Sequence, residues 1–226
     1  MGVDEKAFRK GHRYHTVVCD LERATVEVVA EERKTESLAA YYRQLSDEQT
    51  AALQAVAMDM WEPYIGATRD GLPNGGEKIV FDRFHIMRDM TTAVDTVRKQ
   101  ERREFLRTGE DSPLTKTTYV WLYSDERRPE HHAETFATLR ALHLKVGRAW
   151  AIKEALRTLS TYRQPAAVKR FFARWYAWAV RSRLEPVKQV AATLKRHLGG
   201  VLRFAASFGI SVGRGRAPHS ESRSRS

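Results

Sequence analysis

The sequence predicts an α/β layer followed by a mainly helical region, because the spacing of its apolar residues changes near residue 80. Before that point, short runs rich in Val and Thr are separated by polar turns, which is typical of strands. After it, apolar and aromatic residues recur three and four positions apart, as they do on helices. Residues 209–226 consist mainly of Gly, Ser and Arg, so they are predicted to be a disordered basic tail.

The first part of the chain reads as strand, strand, strand, helix, strand, helix, strand, an order typical of an α/β layer. The predicted strands are MGV into Asp4, residues 14–21, 25–30 and 53–60, and KIVF before Asp82. The second and third are close enough to form an antiparallel hairpin. Helices are predicted over residues 35–45, with Thr35 as N-cap, and from Pro63 onward, and GLPNGG (71–76) is predicted to be a loop.

The second part is predicted to form helices over residues 84–107, 130–160, 165–183 and 186–206. Pro129, Pro165 and Pro186 stand near three of the starts, where a missing amide proton costs least. Phe171, Phe172, Trp175, Trp178 and Ala179 form a stripe at helical spacing, which favours a core face; stacking on bases is the alternative.

The charge of the chain favours an anionic partner, nucleic acid or a membrane surface. The formal net charge is +11 and the pI about 9.9. From Lys145 to the end there are 18 Lys and Arg against 3 acids, a surplus of 15, so the positive charge lies in the C-terminal third. The alternative is a set of solvated basic helix faces.

Other classes of protein are disfavoured by composition. Cys19 is the only cysteine, so neither an internal disulfide nor a thiolate zinc site can form. No run approaches the roughly 20 apolar residues of a membrane span, and the first residues lack the apolar segment of a signal peptide. We therefore expect a cytoplasmic, nucleoid-associated protein.

Three acids follow strand-like runs: Asp4, Asp59 and Asp82. Side chains at the carboxyl ends of neighbouring strands converge on one edge of an α/β sheet. Converging carboxylates are suited to Mg²⁺, and two such ions promote phosphoryl transfer, which in a basic chain indicates nucleic-acid strand cleavage or transfer. Aspartate is also a turn former, so a structural reading stays open. Asp20 is the alternative to Asp4, although a hairpin turn also explains it.

Longer segments carry a resemblance to a known family. They are GVDEKAFRKGHRYHTVVCDLERATVEVVAEERKTESLAAYY, VAMDMWEPY and IVFDRFHIMRDMTTAVDTVR. Together they resemble the central part of the DDE transposases of the ISL-three family of bacterial insertion sequences, over residues 2 to about 206. The resemblance implies a ribonuclease-H-like mixed sheet, partial here, with a helical insertion before the last catalytic acid. It implies strand cleavage and transfer at transposon ends with Mg²⁺ or Mn²⁺.

The resemblance also implies roles for individual residues. Asp4 is the first catalytic acid and Asp59 the second, both metal ligands, while Asp20 becomes a hairpin residue. In DRFH, Asp82 and His85 resemble a motif that follows the second acid in related transposases; there the carboxylate orients the histidine, which donates to a phosphate oxygen or braces the metal-bound acids. The alternative is a buried pair that joins strand to helix. The implied parts are a catalytic half over 1–90, a helical insertion over 91–208 and the tail over 209–226.

The sequence also departs from the family pattern. The family's cysteine-rich zinc segment and helix-turn-helix are expected before GVDE, and its catalytic glutamate is expected after GGVLRF. Here Glu221 is the only acid beyond that point, in a tail that reads either as an Arg-Ser RNA-binding segment or as an out-of-frame end. We therefore predict a truncated transposase that is inactive alone.

The alternative function is a non-catalytic fragment that binds DNA or an intact transposase subunit. In either case the expected partners are transposon-end DNA and another transposase chain, in a homo-oligomer or with an intact subunit, and no membrane. A metal site at His131 and His132, unrelated to nucleic acid, is a third reading; we interpret these histidines as surface residues.

Overall fold

The computed structural model describes residues 1–7, 14–31, 35–162 and 164–206. The chain divides into two compact units, Met1–Phe84 and His85–Gly209, each described by itself below. The tail predicted to be disordered, residues 209–226, lies outside the described residues.

The first unit is built on a five-stranded mixed sheet in the order β3-β2-β1-β4-β5. The pairs β1–β2 and β2–β3 are antiparallel, whereas the pairs β1–β4 and β4–β5 are parallel. The predicted α/β class and the predicted hairpin are therefore confirmed. The strands are β1 Gly2–Ala7, β2 Tyr14–Asp20, β3 Thr25–Glu31, β4 Val56–Met58 and β5 Ile79–Phe81.

The strands differ in how much of each is buried. All three residues of β4 and all three of β5 are buried, as expected for parallel strands covered on both faces. The edge strand β3 is largely exposed, and Val26 and Val29 are more than half exposed. The strand predicted over 53–60 is only three residues long: it begins at Val56 and ends at Met58, where the chain turns toward the next helix.

Four helices accompany this sheet in the part of the first unit that the structure describes. They are α1 Thr35–Gln44, α2 Asp47–Ala52, α3 Glu62–Gly71 and α4 Gly75–Lys78. The first and third were predicted; α1 packs against α3, where the hydroxyls of Tyr42 and Thr68 lie 2.9 Å apart. Helix α2 was missed although Ser46 and Gln49 form a capping box. Helix α4 lies partly within the predicted loop 71–76, after Asn74 adopts a left-handed conformation with φ 53°.

The second unit is helical, as predicted, and its first helix begins two residues earlier, at Arg83. Its helices are α5 Arg83–Arg107, α6 Thr118–Leu122, α7 Ala133–Ala141, α8 Lys145–Arg157, α9 Pro165–Arg181, α10 Glu185–Arg196 and α11 Leu198–Ala206. Helices α5 and α9 match the prediction closely. No helix in the described part of the chain is both long enough and apolar enough to cross a bilayer.

Two long predicted helices are interrupted. The helix predicted over 130–160 is wrong as a single element: it is divided into α7 and α8, and His143 between them has φ 52°, which an α-helix cannot accommodate. The helix predicted over 186–206 is divided at His197. Apolar spacing continues across both breaks, so the periodicity did not reveal them.

An aromatic cluster joins helices α6, α7 and α8 of the second unit. The Phe136 ring lies 5.4 Å from Trp121 and 4.7 Å from Trp150, measured between ring centroids. The Arg128 guanidinium lies over Phe136. Beside the cluster, the buried Lys153 ammonium donates to the three carbonyls that end helix α6, at 3.1 to 3.3 Å. These donations satisfy carbonyls that a helix end leaves without an intrahelical partner.

Two buried tyrosines of α1 make the first unit sensitive to high pH. Burial, followed by the charge of Glu27, raises the pKa of Tyr41 to about 12, and burial raises the pKa of Tyr42 well above its usual value. An unfolded tyrosine has a pKa of about 10, so the folded state holds these protons more tightly. This stabilisation is complete below about pH 10 and is lost as the pH rises through the folded pKa values.

We therefore expect the free energy of unfolding to be lower near pH 11 than near pH 9. The Tyr41→Phe variant should lose less stability over this interval, since it removes one of the titrating groups. Urea unfolding followed by circular dichroism measures both, with Tyr119→Phe, on an exposed side chain, as the control. A fall that is the same in Tyr41→Phe and the control would contradict the assignment.

Candidate active site

The strand register brings three aspartates to one level of the sheet. Gly2 of β1 pairs with Ala57 of β4, and Ala57 pairs with Val80 of β5. Two residues after each of these three positions the sequence has an aspartate: Asp4, Asp59 and Asp82. Asp59 and Asp82 come directly after the last residues of β4 and β5, so this register places all three aspartates at the end of the parallel pairing.

The predicted position of Asp4 requires a correction. It was expected at the end of the first strand, but β1 continues to Ala7, so Asp4 lies inside the strand. The reason is that β1 pairs with β2 over six residues, from Gly2 to Ala7, while its partner β4 already ends at Met58. Asp4 therefore lies where the parallel pairing of β1 with β4 ends and only the antiparallel pairing with β2 continues.

Asp4 and Asp59 share the same local geometry. The Asp4 Oδ1 accepts the amide N–H of Glu5 at 2.8 Å, and the Asp59 Oδ1 accepts that of Met60 at 2.6 Å. Both residues are half-buried. Each carboxylate is thus oriented by the amide that follows it while the residue stays partly accessible to solvent.

Asp82 has a structural role that the local geometry makes clear. It is 2% exposed, and its Oδ1 accepts the amide N–H of Phe84 at 3.0 Å. Since helix α5 begins at Arg83, this bond caps its N-terminus. His85, also buried, is the first residue of the second unit. The catalytic roles that the resemblance implies for Asp82 and His85 stay predictions.

Asp20 serves the turn between β2 and β3. Its Oδ1 accepts the amides of Glu22 at 2.8 Å and Arg23 at 3.0 Å, and these two bonds hold the pKa of the Asp20 carboxyl below its usual value. Because Cys19 pairs with Gly2, Asp20 is level with Met1, three residues before Asp4. Three residues of strand span roughly 10 Å, which separates Asp20 from the level of Asp4.

Other candidate metal ligands do not gather. Within the described ranges, no group of three or more His, Cys, Asp or Glu side chains could hold a metal ion. His131 and His132 lie in a short 3₁₀ helix, the first exposed and the second half-buried, with ring centroids 4.2 Å apart. Two carboxylates, Asp4 and Asp59, therefore form the core of the candidate site.

Comparison with known proteins identifies the class. A family model described as a transposase matches residues 1–217, almost the whole chain. The chain thus belongs to the DDE transposases of the ISL-three family, which confirms the resemblance drawn from its sequence segments.

Relatives among curated proteins agree with this assignment. The chain is 26% identical over 204 residues to the transposase for insertion sequence element IS1001 of Bordetella parapertussis, covering 89% of this chain and 50% of the relative. It is 24% identical over 235 residues to the transposase for IS1557 of Mycobacterium tuberculosis, covering 94% and 52%. The chain therefore spans about half the length of these relatives. No solved structure matches it.

Proposed function

We propose that this chain carries the catalytic core of an insertion-sequence transposase, in which Asp4 and Asp59 hold a divalent cation for DNA strand cleavage and transfer at transposon ends. The observation that supports this most directly is the register of the adjacent parallel strands β1 and β4, which pairs Gly2 with Ala57, each two residues before one of the aspartates. The proposed reaction class is that of the family to which the chain belongs, and the proposed metal ligands are the two aspartates of the candidate site.

The architecture of the first unit supports a ribonuclease-H-like interpretation. Three antiparallel strands are followed by two parallel ones, with β1 at the centre of the sheet. This is the arrangement expected of a ribonuclease-H-like sheet, and it takes the first proposed acid from the central strand and the second from its parallel neighbour. The parallel side of the sheet thus provides the edge at which ligands bind in α/β proteins.

The donor set fits Mg²⁺ or Mn²⁺. Both ions prefer carboxylate oxygens, and Mg²⁺ usually keeps several waters while binding only one or two protein carboxylates. When bound, such an ion activates water and stabilises the charge that develops on phosphate oxygens. The protein's contribution is orientation: the amides of Glu5 and Met60 hold the Asp4 and Asp59 carboxylates in place before the ion arrives.

A second candidate function is a non-catalytic fragment that binds DNA or an intact transposase subunit. It is favoured by the absence, among the described residues, of a third ligand near the two aspartates. Two carboxylates hold one cation well but a second cation only weakly. Because phosphoryl transfer of this kind uses two metal ions, we expect slow cleavage or none from this chain alone. The DNA contacts would come from the basic helices of the second unit, chiefly through phosphates.

Metal binding tests the proposed site. We expect Asp4→Asn and Asp59→Asn each to weaken Mn²⁺ binding at least tenfold, since even the loss of a residue behind a metal ligand typically costs about 10- to 100-fold. Calorimetric titration with Mn²⁺, or electron paramagnetic resonance of free Mn²⁺, measures the affinity. Asp20→Asn is the matched control, because it removes the same charge from the same unit; Mn²⁺ binding that is equal in all three variants would refute the site.

Cleavage then separates the two functions. The chain is incubated with Mn²⁺ and a labelled transposon end, alongside Asp59→Asn. Cleavage that disappears in the variant identifies an enzyme, whereas retention of uncleaved DNA by both proteins identifies the binding fragment.

A further inference from the structure

Helix α9 has an unusual division of its surface. Its 17 residues include four basic side chains and no acid. One face is buried, with Val168, Phe172, Trp175 and Ala179 in the core of the second unit. The Trp175 indole N–H donates to the Ile152 carbonyl at 2.9 Å, which anchors this face against helix α8.

The opposite face carries a stripe of exposed residues, Arg170, Arg174, Trp178 and Arg181. At about 100° per residue, these four positions fall within an arc of about 80°. The predicted assignment of Trp178 to the core is therefore wrong: its side chain is 42% exposed, whereas Trp175 is 2% exposed. The apolar pattern did not reveal this, because Trp178 is three residues after the buried Trp175 and four residues after the exposed Arg174. Its position along the helix is therefore compatible with either face.

The arginines of this stripe differ in ion pairing from other cations of the second unit. Among the described residues, no carboxylate pairs with any of the three arginines of the stripe. Other cations of the same unit are paired: Lys188 lies 2.7 Å from Glu185, and Arg157 lies near Glu154. The stripe thus presents three guanidinium groups and an indole to solvent.

We propose that this stripe binds DNA that contains unpaired nucleotides, with the arginines on phosphates and Trp178 stacked on an exposed base. Guanidinium groups bind phosphate oxygens through paired hydrogen bonds, and an indole stacks on any base without sequence preference. From Arg170 to Arg181 the helix rises about 16 Å, which matches roughly five nucleotides of a strand. A duplex satisfies the arginines alone, because its bases are stacked on one another, so the exposed indole favours an unpaired site.

This inference depends on the proposed function only in taking DNA as the partner. Binding needs no metal, so it is measured in the presence of a chelator. Fluorescence anisotropy compares the full chain on a labelled duplex and on the same duplex with a central bubble of unpaired nucleotides. We expect tighter binding to the bubble.

The variants assign the two contributions. Trp178→Ala should weaken binding to the bubble roughly 5- to 150-fold and leave the duplex unchanged, while Trp178→Phe retains most of the preference. Arg174→Gln should weaken both and reduce the slope of log affinity against log salt by about one. Arg103→Gln, on an exposed side chain of α5, is the charge-matched control.

Three results would overturn the proposal. They are the absence of a bubble preference in the unmodified chain, a Trp178→Ala variant that binds the bubble normally, and competition by poly-glutamate as strong as by single-stranded DNA, which would indicate an acidic protein partner. Circular dichroism shows whether each variant folds. DNA binding in chelator and Mn²⁺ affinity without DNA are measured separately on the unmodified chain, so a failed metal centre and a failed DNA surface give different results.

Discussion

Replacing Gly75 by alanine is expected to destabilise the first unit by about 3 kcal/mol, the upper part of the range for overpacking. A Cβ at this position would lie 1.9 Å from the Thr68 carbonyl oxygen and 2.8 Å from its carbon. Both atoms belong to the backbone of α3, so no side chain can rotate away to make room. The segment from α3 to α4 would have to shift, and α4 leads directly into β5.

Gly66→Ala is the matched control for this prediction, with the opposite sign. Gly66 lies within helix α3, and in the described part of the chain no atom beyond the backbone of this helix and the two neighbouring residues lies within 4 Å of an added Cβ. Alanine should therefore stabilise the helix by roughly 0.5–1 kcal/mol, because glycine loses more backbone entropy on folding. Urea unfolding of the three proteins measures the difference. Equal stability of Gly75→Ala and Gly66→Ala would contradict the packing of α3 on the start of α4.

Replacing Glu101 by glutamine is expected to destabilise the second unit by about 2–3 kcal/mol. Glu101 is buried on α5, and its two carboxylate oxygens accept the amide N–H groups of Lys145 at 2.7 Å and Val146 at 2.9 Å. These are the first two amides of α8, which have no partner within their own helix. Glutamine keeps one acceptor but places an NH₂ group against the other amide, and it removes a negative charge from a helix N-terminus.

Glu104→Gln separates this effect from a general loss of charge on α5. The exposed Glu104 carboxylate forms an ion pair with the Lys145 ammonium, one turn away from Glu101. Exposed pairs of this kind contribute little, so we expect no measurable change in the unfolding transition. Thermal unfolding followed by circular dichroism compares the two variants. A Glu101→Gln variant as stable as Glu104→Gln would show that the buried carboxylate does not hold α8.

Much of the fold follows from local sequence patterns. The Val-rich runs identified the strands of the sheet, and Pro165 marked the start of α9 within one residue. Quoted segments such as VAMDMWEPY carried the family resemblance that the comparison confirmed. These features are local, since they depend on residues a few positions apart whose chemistry favours one backbone conformation.

Other features depend on partners far along the chain. Local spacing placed Asp4 at a strand end, but pairing with β2 extends β1 to Ala7. The break at His143 lies between α7 and the start of α8, which is held by Glu101, more than 40 residues earlier. The same apolar spacing runs through both helices, so only the contacts of the folded chain reveal the division.

The sequence by itself identified the family of the protein, the helical second part with its basic C-terminal third, and the two aspartates that we propose as metal ligands. Tertiary structure decided that β4 lies beside β1, because the register pairs Gly2 with Ala57, which is 55 positions further along the chain. It also decided that Trp175 is buried and Trp178 exposed on one helix, since burial depends on which face the neighbouring helices cover. The spacing of apolar residues in the sequence shows which side chains can be buried, and the packing of the folded chain decides which of them are.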